Sequence, residues 1–210
     1  IHLFFGNYES AVNYFETALT MDEDFIEAWN DGGVAYSILE NDEKALVFFQ
    51  EALYLDPDYS PAIYNMGATL VEMGRYEESL SYLDRTLEND PDNFKALFYR
   101  GNVSYFIEKE EEAVEYFKKA LKIDKNQEEL WNYVGYVQFS LGQNHEAVES
   151  LKEAIKLNNE YEAAYINLGN VYMDLGKDNL ALDCFERVLE ISPDNEEALF
   201  QKDNLKDEWD

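Results

Sequence analysis

Glycine recurs along the chain at one constant interval, at Gly33, Gly67, Gly101, Gly135 and Gly169. Only 10 of the 210 residues are glycine, so this regular placement does not follow from composition. Small residues repeat with the same period at a second position, which is occupied by Ala11, Ala45, Ser79, Ala113, Ala147 and Ala181. Such a period restricts the chain to a tandem array of one supersecondary unit.

Within one period, the apolar and small residues follow the spacing of two α-helices. Trp29, Gly33 and Tyr36 stand at i, i+4 and i+7, which places them on one face of a first helix. Ala45 and Ala52 stand two helical turns apart on the corresponding face of a second helix. Because glycine and alanine add little bulk, the two helices are predicted to pack closely as an antiparallel pair.

Turns are predicted on both sides of each second helix. Gly74, Gly142 and Gly176 follow a first helix, at a place where glycine commonly ends one. The second helix is expected to end before a column that contains Pro57 and Pro91, because proline disfavours helix in the preceding residue. Each period therefore predicts one helical hairpin.

This pattern resembles the tetratricopeptide repeat, whose signature runs W, L-G, Y, A, F, A, P over a repeat of about 34 residues. The residues that carry the resemblance in one period are Trp29, Gly33, Tyr36, Ala45, Phe49, Ala52 and Pro57. The resemblance implies an all-α fold, a right-handed superhelical solenoid of antiparallel helix pairs. It also implies a concave wall lined by the first helix of each pair.

Four positions depart from the family pattern. Ser104 and Gln138 stand where an aromatic residue is usual, and Lys125 and Asn159 stand where proline is usual. The departures concern individual turns and packing positions, and the predicted architecture does not depend on them.

A single tetratricopeptide-repeat domain is predicted over residues 1–210. It comprises a truncated first repeat at 1–25, full repeats at 26–59, 60–93, 94–127, 128–161 and 162–195, and a C-terminal capping helix at 196–210. The first repeat retains only a short helix over 1–5, which leaves Leu3, Phe4 and Phe5 poorly covered. Upstream sequence or a partner subunit is therefore expected to cover this edge.

The chain is strongly acidic, with 45 Asp and Glu against 16 Lys and Arg and a net charge of −29. This charge repels phosphate, so we expect neither nucleic-acid binding nor docking on an anionic membrane. It is explained either as a solvated surface that keeps the protein soluble or as attraction to a basic partner. One cysteine forms no internal disulfide, and no apolar run is long enough for membrane insertion, so a cytoplasmic protein is predicted.

A stripe without charge follows the first helices, one residue after the packing positions and hence rotated by about 100°. The predicted peptide-binding groove comprises this stripe and its neighbours: Asn30, Tyr64, Asn65, Lys95, Phe98, Asn102, Tyr105, Asn132, Tyr136, Phe139, Ile166 and Asn170. Aromatic faces would supply contact area, and the amides would both donate to and accept from a peptide backbone. The alternative is that these side chains pack against neighbouring first helices and tighten the superhelix.

Some family members are co-chaperones that clamp a C-terminal carboxylate with Lys, Arg and Asn from three successive repeats. Here only Asn65 and Lys95 match that pattern, while Asn30, Val34 and Tyr99 replace the other members. A single cation does not hold a carboxylate as that clamp does. The sequence therefore argues against recognition of this kind.

Catalytic chemistry has little support in the sequence. His2 and His145 have no Cys or His at metal-ligand spacing, and Cys184 has no basic neighbour in sequence to lower its pKa. Glycine-rich phosphate loops and nucleophile motifs are absent. We expect a protein that is not an enzyme and that needs no cofactor and no metal.

Two hypotheses of function follow. The first is a non-catalytic protein–protein interaction scaffold that binds a peptide segment of a partner in its concave groove, the partner being basic if the charge serves attraction. The alternative is a structural assembly or self-association element that forms a homodimer through the open N-terminal edge. The regulatory repeat region of a longer protein is a third reading.

Salt is expected to stabilise the protein, because its excess negative charges repel one another and added ions screen that repulsion. Thermal melts followed by circular dichroism should show a melting temperature that rises from low to moderate sodium chloride. A melting temperature that falls steadily with salt would contradict this expectation.

Overall fold

A computed structural model describes residues 7–207 of the chain. Over these residues the regular secondary structure consists of twelve α-helices. In chain order they are α1 (Tyr8–Met21), α2 (Ile26–Ile38), α3 (Asp42–Leu55), α4 (Ser60–Glu72), α5 (Tyr76–Asn89), α6 (Phe94–Phe106), α7 (Glu110–Ile123), α8 (Glu128–Ser140), α9 (Asn144–Leu157), α10 (Glu162–Asp174), α11 (Asp178–Ile191) and α12 (Glu196–Asp207). From α2 onward, first helices alternate with slightly longer second helices up to α11.

The chain divides into two compact units, residues 1–108 and residues 109–210. The described part of the first unit holds α1 to α6, and that of the second holds α7 to α12. The prediction that residues 1–210 form one domain stays a prediction. The short helix predicted over residues 1–5, with Leu3, Phe4 and Phe5, lies outside the described residues.

The glycine column lies where the two helices of a pair cross. A Cβ atom on Gly33 would lie 2.5 Å from Cε1 of Phe49, and one on Gly135 would lie 2.5 Å from Cγ of Leu151. Phe49 and Leu151 are fully buried members of the cores of their units. Glycine therefore provides the space that a large side chain of the paired helix occupies.

A left-handed residue follows each first helix at a fixed position in the period. Gly74, Gly142 and Gly176 have φ of 74°, 70° and 64°, as expected of glycines that end helices. Glu40 and Glu108 take the same conformation, with φ of 58° and 61°. A side chain in this region is disfavoured, so these two turns are held by the packing of the helices around them.

The turns after the second helices persist where proline is missing. Asp124 Oδ1 accepts a hydrogen bond of 2.9 Å from the backbone N–H of Asn126, and Asn158 Oδ1 accepts one of 3.1 Å from that of Glu160. Asp56 makes the same contact, at 3.0 Å, in a turn that retains its proline. A side-chain acceptor at the end of the helix thus forms the turn without proline.

Polar groups fill the space at the two positions that lack the usual aromatic residue. Ser104 Oγ accepts a 2.6 Å hydrogen bond from the buried Arg100, whose Nε donates to Asp84 Oδ1 at 2.7 Å. The buried Gln138 amide lies 2.6 Å from Ser150 Oγ. Each of these buried polar side chains therefore has a partner, as burial requires.

Helix α12 packs on the core of the second unit through Ala198 and Leu205, which lie two helical turns apart and are almost fully buried. Leu199, the larger apolar residue next to Ala198, is instead 41% exposed. The difference follows from the helical pitch, because adjacent residues are rotated by about 100° and Ala198 takes the core direction.

The glycine contacts predict unequal effects of substitution to alanine. Gly135→Ala should lower the free energy of unfolding by about 1–3 kcal/mol, because its Cβ would overlap the packed Leu151. Gly67→Ala is the matched control, since its Cβ would meet Leu83 and Tyr82 at 3.2 Å and alanine favours helix by about 1 kcal/mol. Urea denaturation of both variants tests this, and equal losses would show that the overlap with the paired side chain does not set the cost of the substitution.

Candidate functional site

In the first unit, the predicted groove residues lie on the first helices α2, α4 and α6. Lys95 is exposed, and Asn30 is buried with an exposed fraction of 5%. The other members are partly buried: Tyr64, Asn65, Phe98, Asn102 and Tyr105. The stripe is therefore a surface whose side chains are partly used in packing contacts within the protein.

Two pairs of residues on this surface join neighbouring first helices, and each pair is separated by one residue more than the period. Asn65 Nδ2 donates a 2.8 Å hydrogen bond to Asn30 Oδ1. The rings of Tyr64 and Tyr99 have centroids 6.4 Å apart in a tilted arrangement. A residue of one repeat thus contacts, in the next repeat, the residue that directly follows its own equivalent position.

Tyr99 belongs to this surface, although in the sequence it is notable only as a departure from the carboxylate clamp. Its hydroxyl donates a 2.8 Å hydrogen bond to Glu72 Oε1. Burial, with the Glu72 charge, raises the pKa of Tyr99, and burial raises that of Tyr64 to about 12. Both phenols therefore remain neutral at physiological pH. A separation one residue longer than the period is the sequence signal that could have identified Tyr99.

In the second unit, the predicted residues lie on α8 and α10. Asn167 Nδ2 donates a 2.9 Å hydrogen bond to Asn132 Oδ1, which repeats the geometry of Asn30 and Asn65 in the first unit. Asn132 is buried, with an exposed fraction of 7%. The amides of Asn30 and Asn132 therefore hold first helices together within their units.

The remaining second-unit members form a half-exposed surface. Tyr136 is 42% exposed, while Phe139, Ile166 and Asn170 are partly buried. Phe139 and Ile166 pack against the buried core of this unit, and so does the neighbouring Met173. This part of the stripe therefore combines an exposed ring, a partly exposed amide and two apolar side chains that pack on the core.

Two amides of the stripe make no hydrogen bond to any other described residue, and both stand at the same position of the period. They are Asn102 in the first unit and Asn170 in the second, two periods apart. Both are partly exposed. Each amide retains two donors and an acceptor for an external partner.

The side chains considered for catalysis are arranged unfavourably for it. Burial, followed by the charge of Asp183, raises the pKa of the Cys184 thiol to about 12, so the thiol is protonated and unreactive. His145 is exposed in α9, and His2 lies outside the described residues. Between residues 7 and 207, no group of three His, Cys, Asp or Glu side chains is arranged to hold a metal ion. None of the helices described is long and apolar enough to cross a membrane.

Sequence profiles identify the repeat. A profile described as tetratricopeptide repeat matches residues 1–60 and 64–128, and another of that description matches residues 162–195. The chain belongs to the tetratricopeptide repeat family. A profile described as TPR repeat also matches residues 135–176. The resemblance stated from the sequence is confirmed, and a search of curated proteins finds no match to the chain.

Several solved structures have the same fold. The structure of YrrB, described as a TPR protein with an unusual peptide-binding site, is 23% identical, covers 90% of this chain and 97% of its own, and has a TM-score of 0.81. PilW, described as a widely conserved type IV pilus biogenesis factor, is 22% identical over 95% of this chain and 92% of its own, with a TM-score of 0.78. MamA is 19% identical over 80% and 92%, with a TM-score of 0.76. The all-α helical-repeat fold is confirmed.

The different roles of the asparagines predict different effects of truncation. Asn132→Ala should lower the free energy of unfolding by about 1–2 kcal/mol, because it removes the buried partner of Asn167. Asn170→Ala should change it by less than about 0.5 kcal/mol, since its amide bonds no other described residue. Urea denaturation measures both values. A larger loss for Asn170→Ala would contradict the assignment.

Proposed function

We propose that the protein binds an extended or helical segment of a partner protein along the stripe of first helices, in each of its two units. Tetratricopeptide repeat proteins are protein–protein interaction scaffolds, and this chain has their sequence pattern and fold. Proteins of this family and fold are in general non-catalytic scaffolds. To this general role we add the binding of a peptide on the stripe of first helices.

The open amides carry this proposal. Asn102 and Asn170 stand at equivalent positions of their repeats and have unused donors and acceptors within the described chain. A peptide backbone offers a carbonyl and an N–H in each residue, which one amide can bind together. Such contacts recognise the main chain, so we expect the stripe to tolerate different peptide sequences.

Aromatic side chains would provide the burial that amides lack. Tyr136 is partly exposed, and Phe139 and Ile166 of the same unit pack against its core. Aromatic rings bury large areas with little loss of side-chain entropy, and they commonly dominate the energy of peptide interfaces. Asn30 and Asn132 would position neighbouring stripe side chains and would not contact the peptide themselves, because their amides bond Asn65 and Asn167.

A basic partner is favoured by charge. The stripe carries no carboxylate, but the whole chain has a net charge of −29, which attracts cationic segments that come within about a Debye length of its surface. The homodimer through the N-terminal edge and the cytoplasmic location both stay predictions. The residues expected to form that edge, Leu3, Phe4 and Phe5, lie outside the described residues.

Peptides selected from a random display library on the wild-type protein provide the test. Tyr136→Ala and Asn170→Ala should each weaken the selected peptides at least about tenfold, as truncation of a central interface residue does. The measurement is fluorescence anisotropy with the labelled peptides, together with thermal melts that confirm folding of each variant.

Tyr14→Ala is the matched control, because Tyr14 is a more exposed tyrosine than Tyr136 and lies on α1, a second helix that carries no stripe residue. Peptides that bind all three variants as tightly as the wild type would refute the stripe as the peptide site.

A further inference from the structure

A second concave site lies in the first unit, between the second helices α1 and α3. This cleft has a volume of about 530 Å³. Its aromatic wall consists of Trp29, Phe48 and Tyr54, and its carboxylates are Glu16, Glu23, Asp24 and Glu51. We refer to it as the α1–α3 cleft. Apart from Trp29, which lies on α2, the lining residues belong to α1, to the turn after α1 and to α3, whereas the predicted peptide stripe lies on first helices.

The aromatic wall is ordered by its own contacts. The rings of Trp29 and Phe48 meet edge to face with centroids 5.0 Å apart. The indole Nε1 of Trp29 donates a 2.8 Å hydrogen bond to the backbone oxygen of Glu23. Tyr54, at 81% exposure, extends from α3 at the edge of the cleft. The cleft therefore presents fixed aromatic surface beside carboxylates.

The next repeat shows what fills the equivalent position. Arg85 stands one period after Glu51, and its Nη2 donates to the backbone oxygen of Pro57 at 2.6 Å and to Asp58 Oδ1 at 3.1 Å. Pro57 and Asp58 are themselves one period after Glu23 and Asp24. An arginine from the same chain thus occupies the corresponding place between α3 and α5.

The second unit repeats this arrangement between α9 and α11. Arg187 stands four periods after Glu51, and its Nη2 donates at 3.4 Å to the backbone oxygen of Asn159, which is four periods after Glu23. Tyr165, four periods after Trp29, donates to the same oxygen at 3.4 Å. One carbonyl therefore accepts an aromatic donor and a guanidinium together, as its two lone pairs allow.

The α1–α3 cleft contains the acceptors of this arrangement but not the arginine. Glu51 stands where Arg85 and Arg187 stand, and within residues 7–207 no ion pair is formed by Glu23, Asp24 or Glu51. A guanidinium there would face the carbonyl of Glu23 and the carboxylate of Asp24, the equivalents of the two groups that Arg85 binds. The added carboxylate of Glu51 makes the site more anionic than its equivalents.

We propose that the α1–α3 cleft binds an arginine side chain from a basic segment of a partner protein. The planar guanidinium offers several donors in a fixed fork, so it bonds a carboxylate and a carbonyl together. Its face is attracted to the rings of Trp29 and Tyr54. This site is separate from the stripe of first helices, so it goes beyond the proposed groove and does not depend on it.

The indole N–H of Trp29 reports on the cleft directly. In ¹H–¹⁵N spectra, the probe peptide acetyl-Gly-Gly-Arg-Gly-Gly-amide should shift the Trp29 indole resonance in a saturable manner. A peptide with citrulline in place of arginine should leave it unshifted, and one with lysine should bind more weakly. The indole resonances are assigned with single Trp→Phe variants.

Trp131 serves as the internal control, because its indole makes the equivalent 2.9 Å hydrogen bond to the backbone oxygen of Lys125. Three periods after Glu16 and Glu23, the corresponding residues are Lys118 and Lys125, and Glu153, which corresponds to Glu51, is paired with Lys156 at 2.9 Å. The peptide should therefore not shift the Trp131 indole. Equal shifts of both indoles, or equal binding of lysine and arginine peptides, would overturn an arginine site.

Glu51→Arg is the decisive variant, because it supplies from within the chain the guanidinium that other repeats already contain. It should weaken binding of the arginine peptide at least about tenfold and raise the melting temperature. Glu149→Arg, at an exposed position of α9, makes the same charge change as a control and should retain binding. Unchanged binding to Glu51→Arg, or equal losses in both variants, would refute the proposal.

Discussion

The spacing of the paired helices depends on close contact between a glycine of the first helix and a large side chain of the second. The other packing contacts of the fold depend on this spacing. At Gly33 and Gly135, a single methyl group would overlap Phe49 and Leu151, and those side chains are fully buried. The contact sets how closely the two helices of a pair approach. Since each pair must bury its remaining apolar face against its neighbours, a fixed pair geometry produces a repeating array.

Once the pairs are fixed, contacts between repeats recur at a separation one residue longer than the period, with chemistry that varies from place to place. The same relation joins two amides at Asn30 and Asn65 and two phenol rings at Tyr64 and Tyr99. The array tolerates such changes because the paired side chains complement each other. Polar replacements such as Ser104 are likewise tolerated, because Arg100 supplies a partner.

Differences among repeats provide the surfaces for binding. The position of Glu51 holds arginine in two other repeats, where it bonds the turn of the preceding repeat. A carboxylate at that position leaves those acceptors available and adds negative charge. Similarly, Asn102 and Asn170 keep their amides available, while Asn132 uses its amide to bind Asn167. Function in such an array arises where one repeat lacks an internal contact that another repeat makes.

The period, the helix pairs, the turn glycines and the family can all be read from the sequence, because each depends on spacing within a single repeat. The sequence also locates the stripe on the first helices. Which stripe residues are used in contacts between repeats follows from the fold: the buried Asn30 and Asn132 bond Asn65 and Asn167, and Tyr99 contacts Tyr64. The fold also decides that Ala198, rather than Leu199, faces the core. Helical periodicity defines the face of one helix, but the opposing residue depends on the distance and rotation between two helices, which no single period encodes.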